Sequence, residues 1–215
     1  ALAYELSKKH SRVLLLEKDA IANNATRYSY GGIAYWSGVT ELERQLCDEA
    51  LEIHRNLSSE VESDTEFQEK TLILTIDAQD DPVTVAANYD AFAIKPQCLS
   101  VAEACEIEPL LNPQALSGAL KLPHGHIHPL KTNQAYQHAF CCLGGQIAIE
   151  PAVELLRQGE RITGVRTPQN TYHANHTVVC AGGLSRKLLK TAGISVKLYF
   201  THAHSLVIPP TDIEL

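Results

Sequence analysis

With 215 residues, 45% of them hydrophobic and 20% charged, the chain has the composition of an ordinary globular protein and length enough for one or two domains. A formal net charge of −7 argues against a nucleic-acid partner, because nothing offsets phosphate repulsion. No apolar run reaches membrane-spanning length, and six cysteines without C-x-x-C spacing (Cys47, Cys98, Cys105, Cys141, Cys142, Cys180) read as buried free thiols of a reducing, cytoplasmic protein.

Ala1–Lys9 reads as a helix. Leu2, Ala3 and Leu6 form an apolar stripe, and the lysines fall in the last turn, where the helix dipole favours cations. No N-cap residue and no strand precede it. Arg12–Lys18 follows, with the apolar run Val13–Leu16 ending in Glu17, the pattern of a strand covered on both faces in a parallel sheet. Ligands of open α/β sheets bind beyond the carboxyl ends of strands, where an acid can accept hydrogen bonds from ribose hydroxyls. The plainer reading is a solvated Glu at the end of a structural strand. A dinucleotide-binding βαβ unit carries such an acid about 20 residues after its glycine-rich turn. That count sets the glycines upstream of Ala1, so the chain is expected to begin inside a βαβ unit.

The polar stretch Asn23–Gly32 reads as a loop. Gly31 and Gly32 permit close backbone approach, and Thr26, Arg27 and Ser29 supply donors for phosphate or ribose oxygens; a turn-rich surface loop is the alternative. Glu41–Ser58 is an amphipathic helix with Leu42, Leu46, Ala50, Ile53 and Leu57 as its stripe, and Thr40 with Glu43 makes a capping box. Lys70–Ile76 is a strand, Pro82–Phe92 a helix, Lys95–Leu99 a short strand, Ser100–Glu106 a small capped helix, and Leu116–Leu122 another strand. This mixed, antiparallel-looking region reads as much of a second domain inserted into the first.

His124, His126 and His128 alternate, as a metal platform on a strand would, but Pro123, Gly125 and Pro129 point to a bent loop, and no carboxylate or thiol joins them. The favoured reading is a partly exposed polar strand end rather than a metal site. Pro129–Leu143 is a helix closed by Gly144-Gly145, and Gln146–Ile149 a buried strand. Ala152–Leu156, Arg161–Arg166 and Asn170–Ala174 form a β-meander. His176–Cys180 reads as a strand ending in Ala181-Gly182-Gly183, Leu184–Ala192 as a helix, and Val196–Ile208 as extended chain. Asp212–Leu215 looks like a segment cut short.

Four blocks in this order, Ala1–Lys18, Thr26–Ile33, Glu108-Pro109-Leu110 through Gly125–Pro129, and Gly144–Ser185, resemble the FAD-dependent oxidoreductases of the D-amino acid oxidase/glycine oxidase (DAO) family. That family also includes sarcosine oxidases and glycerol-3-phosphate dehydrogenases. The resemblance implies an α/β fold: an FAD/NAD(P)-binding three-layer ββα Rossmann-like domain (1–37 and 141–195) with an inserted mixed α+β substrate domain (38–140 and 196–215), both incomplete. It implies that Glu17 binds the adenosine ribose of FAD, with the Lys18 backbone nearby. Thr26, Arg27, Gly31 and Gly32 match the loop that passes the pyrophosphate and approaches the flavin. Val153 matches the meander residue whose main chain contacts adenine, and Ala181 and Gly182 the turn that closes over the cofactor.

The implied activity is oxidation of a small-molecule amine or amino acid by hydride transfer to flavin, with Arg27 or a neighbouring hydroxyl tuning the flavin or contacting substrate. The sequence departs from the family in lacking the glycine-rich turn and the C-terminal half, and His128 stands where Asp is common. The catalytic residues are therefore not identified. The alternatives are a flavin- or NAD-binding protein without oxidase chemistry, a metal-binding module built on His124, His126 and His128, and an inactive domain fragment unable to bind FAD alone.

Overall fold

The computed structural model describes residues 1–20 and 24–199. Along the chain, α1 (Leu2–Lys8) leads through a short turn into β1 (Leu14–Glu17). One helical turn, α2 (Ala25–Tyr28), and a two-residue strand, β2 (Gly32–Ile33), come next. The stretch expected to be a loop thus carries two ordered pieces. The Asn24 side chain and carbonyl accept the N–H groups of Thr26 and Arg27, both at 3.0 Å, which starts the helical turn.

Helix α3 (Glu41–Glu60) begins where its sequence says it should. Thr40 accepts the Glu43 N–H while the Glu43 carboxylate accepts the Thr40 N–H, a full capping box. Then come β3 (Gln68–Asp77), α4 (Pro82–Ala87), β4 (Gln97–Leu99), α5 (Val101–Ile107), a 3-10 turn at Pro113–Ala115, β5 (Leu116–His126) and α6 (Pro129–Cys142). The chain closes with β6 (Gln146–Ile149), β7 (Glu154–Gln158), β8 (Arg161–Arg166), β9 (Thr171–His173), a 3-10 turn at Gly182–Leu184 and α7 (Ser185–Thr191). The result is a mixed α/β chain.

It divides into two compact units. The first comprises Ala1–Tyr28 and the described residues from Tyr136 onward. Here β1 and β6 pair in parallel, and β7-β8-β9 form an antiparallel meander. Helix α7 packs on the meander: the Thr191 hydroxyl accepts the Leu155 N–H at 3.0 Å, and Leu155 and Ala192 are buried. The second unit comprises Ser29–Ala135. Its spine is β5, which pairs antiparallel with β3 along nearly its whole length and with β2 and β4 at separate stretches, Gly125–His126 and Ala119–Lys121. Helix α5 seals this sheet through the buried cluster Leu99, Ala104 and Ala119, with Ile73 and Leu111 against it.

Several expectations need correcting. His176–Cys180 forms no ladder with any described strand, and Val178 is 59% exposed. An apolar run becomes a strand only when a neighbour accepts its backbone groups, and none of the described strands lies beside this one. Strand β5 continues through His124 and His126 rather than bending at Pro123, because β3 supplies partners as far as Gln68. The stripe of α3 is only partly covered: Leu57 is buried, but Leu42, Leu46 and Ile53 are 64%, 54% and 51% exposed, and Leu51 replaces them in the core. Helix α4 ends at Ala87 rather than Phe92, since the next residues turn to build the cluster of Trp36, Tyr89 and Phe92, with ring centroids 5.5–6.0 Å apart. All six cysteines are free thiols, but Cys98, Cys141, Cys142 and Cys180 are exposed and Cys47 and Cys105 half-buried. Residues 196–199 form no strand, and the remainder of Val196–Ile208, Asp212–Leu215 and Asn23 lie outside the described residues.

Candidate functional site

Strands β1 and β6 are matched from Leu14↔Gln146 to Glu17↔Ile149, so both stop at one level and Glu17 stands on that edge. Its carboxylate turns back on the chain. Oε1 accepts the N–H of Lys18 at 2.8 Å and of Asp19 at 3.3 Å. Oε2 has no hydrogen-bond partner among the described residues, which leaves a half-buried acceptor free for ligand hydroxyls. The Lys18 Nζ pairs with Asp19 at 3.0 Å on the surface.

Three residues beyond Glu150, which ends the β6 run, Val153 sits 47% exposed before β7. Its N–H is taken by the Arg166 carbonyl at 2.9 Å. Glu150 is the residue that the sequence analysis passed over. Its Oε1 accepts from Asn170 Nδ2 and from the Tyr172 hydroxyl, each at 2.8 Å, and its Oε2 accepts the Thr167 hydroxyl. The Thr167 hydroxyl, then the Tyr172 hydroxyl, hold the Glu150 carboxyl below its ordinary 4.5, and the same contact raises the Tyr172 phenol. The signal was available: Glu150 follows an apolar strand as Glu17 does.

Ala181 and Gly182 follow Cys180 in the first unit. Gly182 has φ +52°, and a Cβ built on it would meet no atom within 4 Å, so the turn faces open space. Thr26 and Arg27 share this unit; Arg27 is exposed, with no ion pair among the described residues.

Gly31 and Gly32 belong to the second unit. Gly31 has φ +83°, and a Cβ there would lie 2.0 Å from the Ile127 carbonyl oxygen; at Gly32 it would strike the Tyr30 ring at 2.1 Å. Gly31 is thus demanded by its own backbone at the β2–β5 seam, whereas at Gly32 the exposed Tyr30 ring can move aside. On β5, His124 is buried. Its Nδ1 accepts the Trp36 indole N–H at 3.4 Å, its Nε2 has no partner, and the Tyr30 ring stacks on it at 6.4 Å. Burial, then the neighbouring His126, lowers the His124 pKa. His124 and His126 alternate along β5 and His128 lies past its end; no group of three potential metal ligands occurs among the described residues.

A family model described as DAO, FAD dependent oxidoreductase, matches residues 1–215. The chain is 28% identical over 211 residues to 4-methylaminobutanoate oxidase (formaldehyde-forming) of Paenarthrobacter nicotinovorans, covering 95% of this chain and 26% of that protein. It is 27% identical over 198 residues to the peroxisomal sarcosine oxidase of Homo sapiens, covering 91% and 50%. The structure is similar to that of glycine oxidase from Geobacillus kaustophilus, with a TM-score of 0.77 at 22% identity over 90% of this chain and 55% of that one. The chain spans half or less of the length of these two curated relatives.

Proposed function

Because the chain belongs to the DAO family of FAD dependent oxidoreductases, we propose that its first unit holds the adenosine half of FAD and that the whole protein oxidises a small amine or amino acid. The single observation that carries this reading is Glu17, a strand-end acid with one oxygen tied to its own turn and the other without a partner among the described residues. An uncommitted carboxylate oxygen at the carboxyl edge of a parallel pair suits ribose hydroxyls, and charge-assisted hydrogen bonds of this kind contribute about 1.5–3 kcal/mol. The rest of the edge fits the group as well. Val153 is exposed just before β7, and the open space at Gly182 leaves room for backbone approach.

In this reading Glu17 orients the ribose, the Lys18 backbone lines it, the Val153 main chain meets the adenine, and Ala181 and Gly182 close over the cofactor. Thr26 and Arg27 serve the pyrophosphate side. Gly31 and Gly32 bring the chain toward the flavin and are shaped by the β2–β5 seam. The exposed Arg27 guanidinium supplies positive charge for an anionic cofactor or a substrate carboxylate. Bound FAD supplies the acceptor for a hydride from a substrate C–H beside an amine or hydroxyl, and the chain's part is binding and orientation. The free thiols fit a reducing compartment, which we take to be the cytoplasm. Among the described residues no helix is long and apolar enough to cross a membrane.

The test is purification of the full-length protein. Flavin bands at about 370 and 450 nm, bleached under argon by one member of a panel of N-methylated amines, glycine and D-amino acids, are the expected result. A colourless protein that binds no added FAD would overturn the reading.

A further inference from the structure

Two acids stand at the carboxyl edge of the β1–β6 pair, and the structure uses them differently. Glu17 ends β1, and Glu150 follows Ile149, the register partner of Glu17. Glu17 has one oxygen without a partner among the described residues, whereas both oxygens of Glu150 are occupied by side-chain donors from Thr167, Asn170 and Tyr172. Those donors bracket a single turn. The Thr167 N–H donates to the Asn170 carbonyl at 2.9 Å, the Asn170 N–H returns to the Thr167 hydroxyl at 2.8 Å, and Tyr172 sits in β9 just beyond. Thr167 is itself buried. Arg166, the residue before this turn, holds the Val153 N–H and pairs with Glu154 through an ion contact at 2.8 Å.

We propose that Glu150 is a positioning residue for the adenosine end of the bound dinucleotide: it touches no ligand but latches the 167–172 turn to the end of β6, and so sets where Val153 presents its main chain. This rests on the reading that Val153 and Glu17 flank that end of FAD. The geometry is a closed chain of contacts. Glu150 fixes Thr167, Thr167 follows Arg166, and Arg166 fixes Val153, three residues along from Glu150 itself. A carboxylate that accepts on both oxygens holds such a turn at one height, and a nucleotide that reads main-chain atoms needs that height fixed before it arrives.

The experiment uses full-length protein stripped of flavin, with the variants Glu150→Ala, Glu150→Gln and Tyr172→Phe. Affinity for FAD and for ADP, which carries the adenosine end without the flavin, is measured by calorimetry beside the melting temperature of each apoprotein. At saturating FAD, kcat, KM and the flavin potential are then compared. Glu150→Ala is expected to weaken FAD and ADP in parallel by about tenfold or more, and Tyr172→Phe by about threefold to tenfold. Glu150→Gln, which keeps an acceptor, falls between wild type and Glu150→Ala. Once FAD saturates, kcat, KM and potential stay at wild-type values. A folded Glu150→Ala protein with FAD and ADP affinities within twofold of wild type overturns the proposal, and so does a lower melting temperature with unchanged affinity. Loss of FAD affinity without loss of ADP affinity overturns it as well. If Glu150→Ala does not fold, wild-type affinities in the other two variants overturn it. Wild-type protein that binds neither FAD nor ADP overturns the underlying reading and this inference with it; a wild type that binds both leaves the variants to decide this inference alone.

Discussion

Gly31→Ala and Gly144→Ala form a matched pair, because the two glycines have nearly the same backbone, φ +83° and +81°, and opposite surroundings. A Cβ on Gly144, just past the end of α6, meets nothing within 4 Å. On Gly31 it would lie 2.0 Å from the Ile127 carbonyl oxygen and 3.2 Å from Pro129 Cδ, both parts of the chain that cannot swing aside as a flexible side-chain tip does. Placing an L-residue in the left-handed region costs about 1–2 kcal/mol at either position. At Gly31 the seam must also open, straining or breaking the Ile127 N–H bond to the Gly31 carbonyl, 3.0 Å long, which adds about 1 kcal/mol, with backbone displacement on top. We therefore expect Gly31→Ala to lose about 3–5 kcal/mol and Gly144→Ala about 1–2. Urea titration of the full-length variants, read as midpoint shifts at constant slope, measures both. Equal losses at the two sites would refute the argument that the β2–β5 seam, rather than φ alone, demands glycine at position 31.

Three further outcomes are expected. Glu17→Ala should weaken FAD about tenfold or more by removing charge-assisted acceptors, with Glu17→Gln intermediate; equilibrium dialysis reports it, and an unchanged affinity would contradict the role given to Oε2. Thr40→Ala removes the hydroxyl that accepts the Glu43 N–H and should cost about 1 kcal/mol in urea unfolding, while Thr40→Ser should cost little. His54, half-buried against Phe67 with Nδ1 unpartnered, has its pKa lowered by burial from 6.5, and His124 is shifted the same way by burial and by His126. Below 6.5 the unfolded chain binds protons that the folded chain refuses, so this stability is present above 6.5 and is lost as pH falls below 6.5 through the lowered folded value. His54→Leu should flatten that slope, and a profile identical to wild type would rule the histidine out as its source.

How much was legible in advance depended on how local each signal was. The caps of α3 and α5 were readable because Thr40 with Glu43 and Ser100 with Glu103 close their bonds within four residues. Glu17 was readable because an acid after an apolar run is a pattern in one dimension, and the parallel pairing of β1 with β6 then put it on an edge. The same pattern at Glu150 went unread, because its meaning depends on partners 17 to 22 residues away in the meander.

What the sequence determined by itself was the identity and order of most elements, since hydrophobic period, capping and turn residues act over a few neighbours. What tertiary structure alone decided was pairing and exposure. His176–Cys180 has the composition of a strand but no described partner, β5 ran on through a proline and a glycine because β3 lay beside it, and Leu42, Leu46 and Ile53 stayed at the surface, more than half exposed among the described residues. Backbone groups and apolar faces are satisfied only by what lies next to them, and that is fixed by the fold as a whole rather than by the segment that carries them.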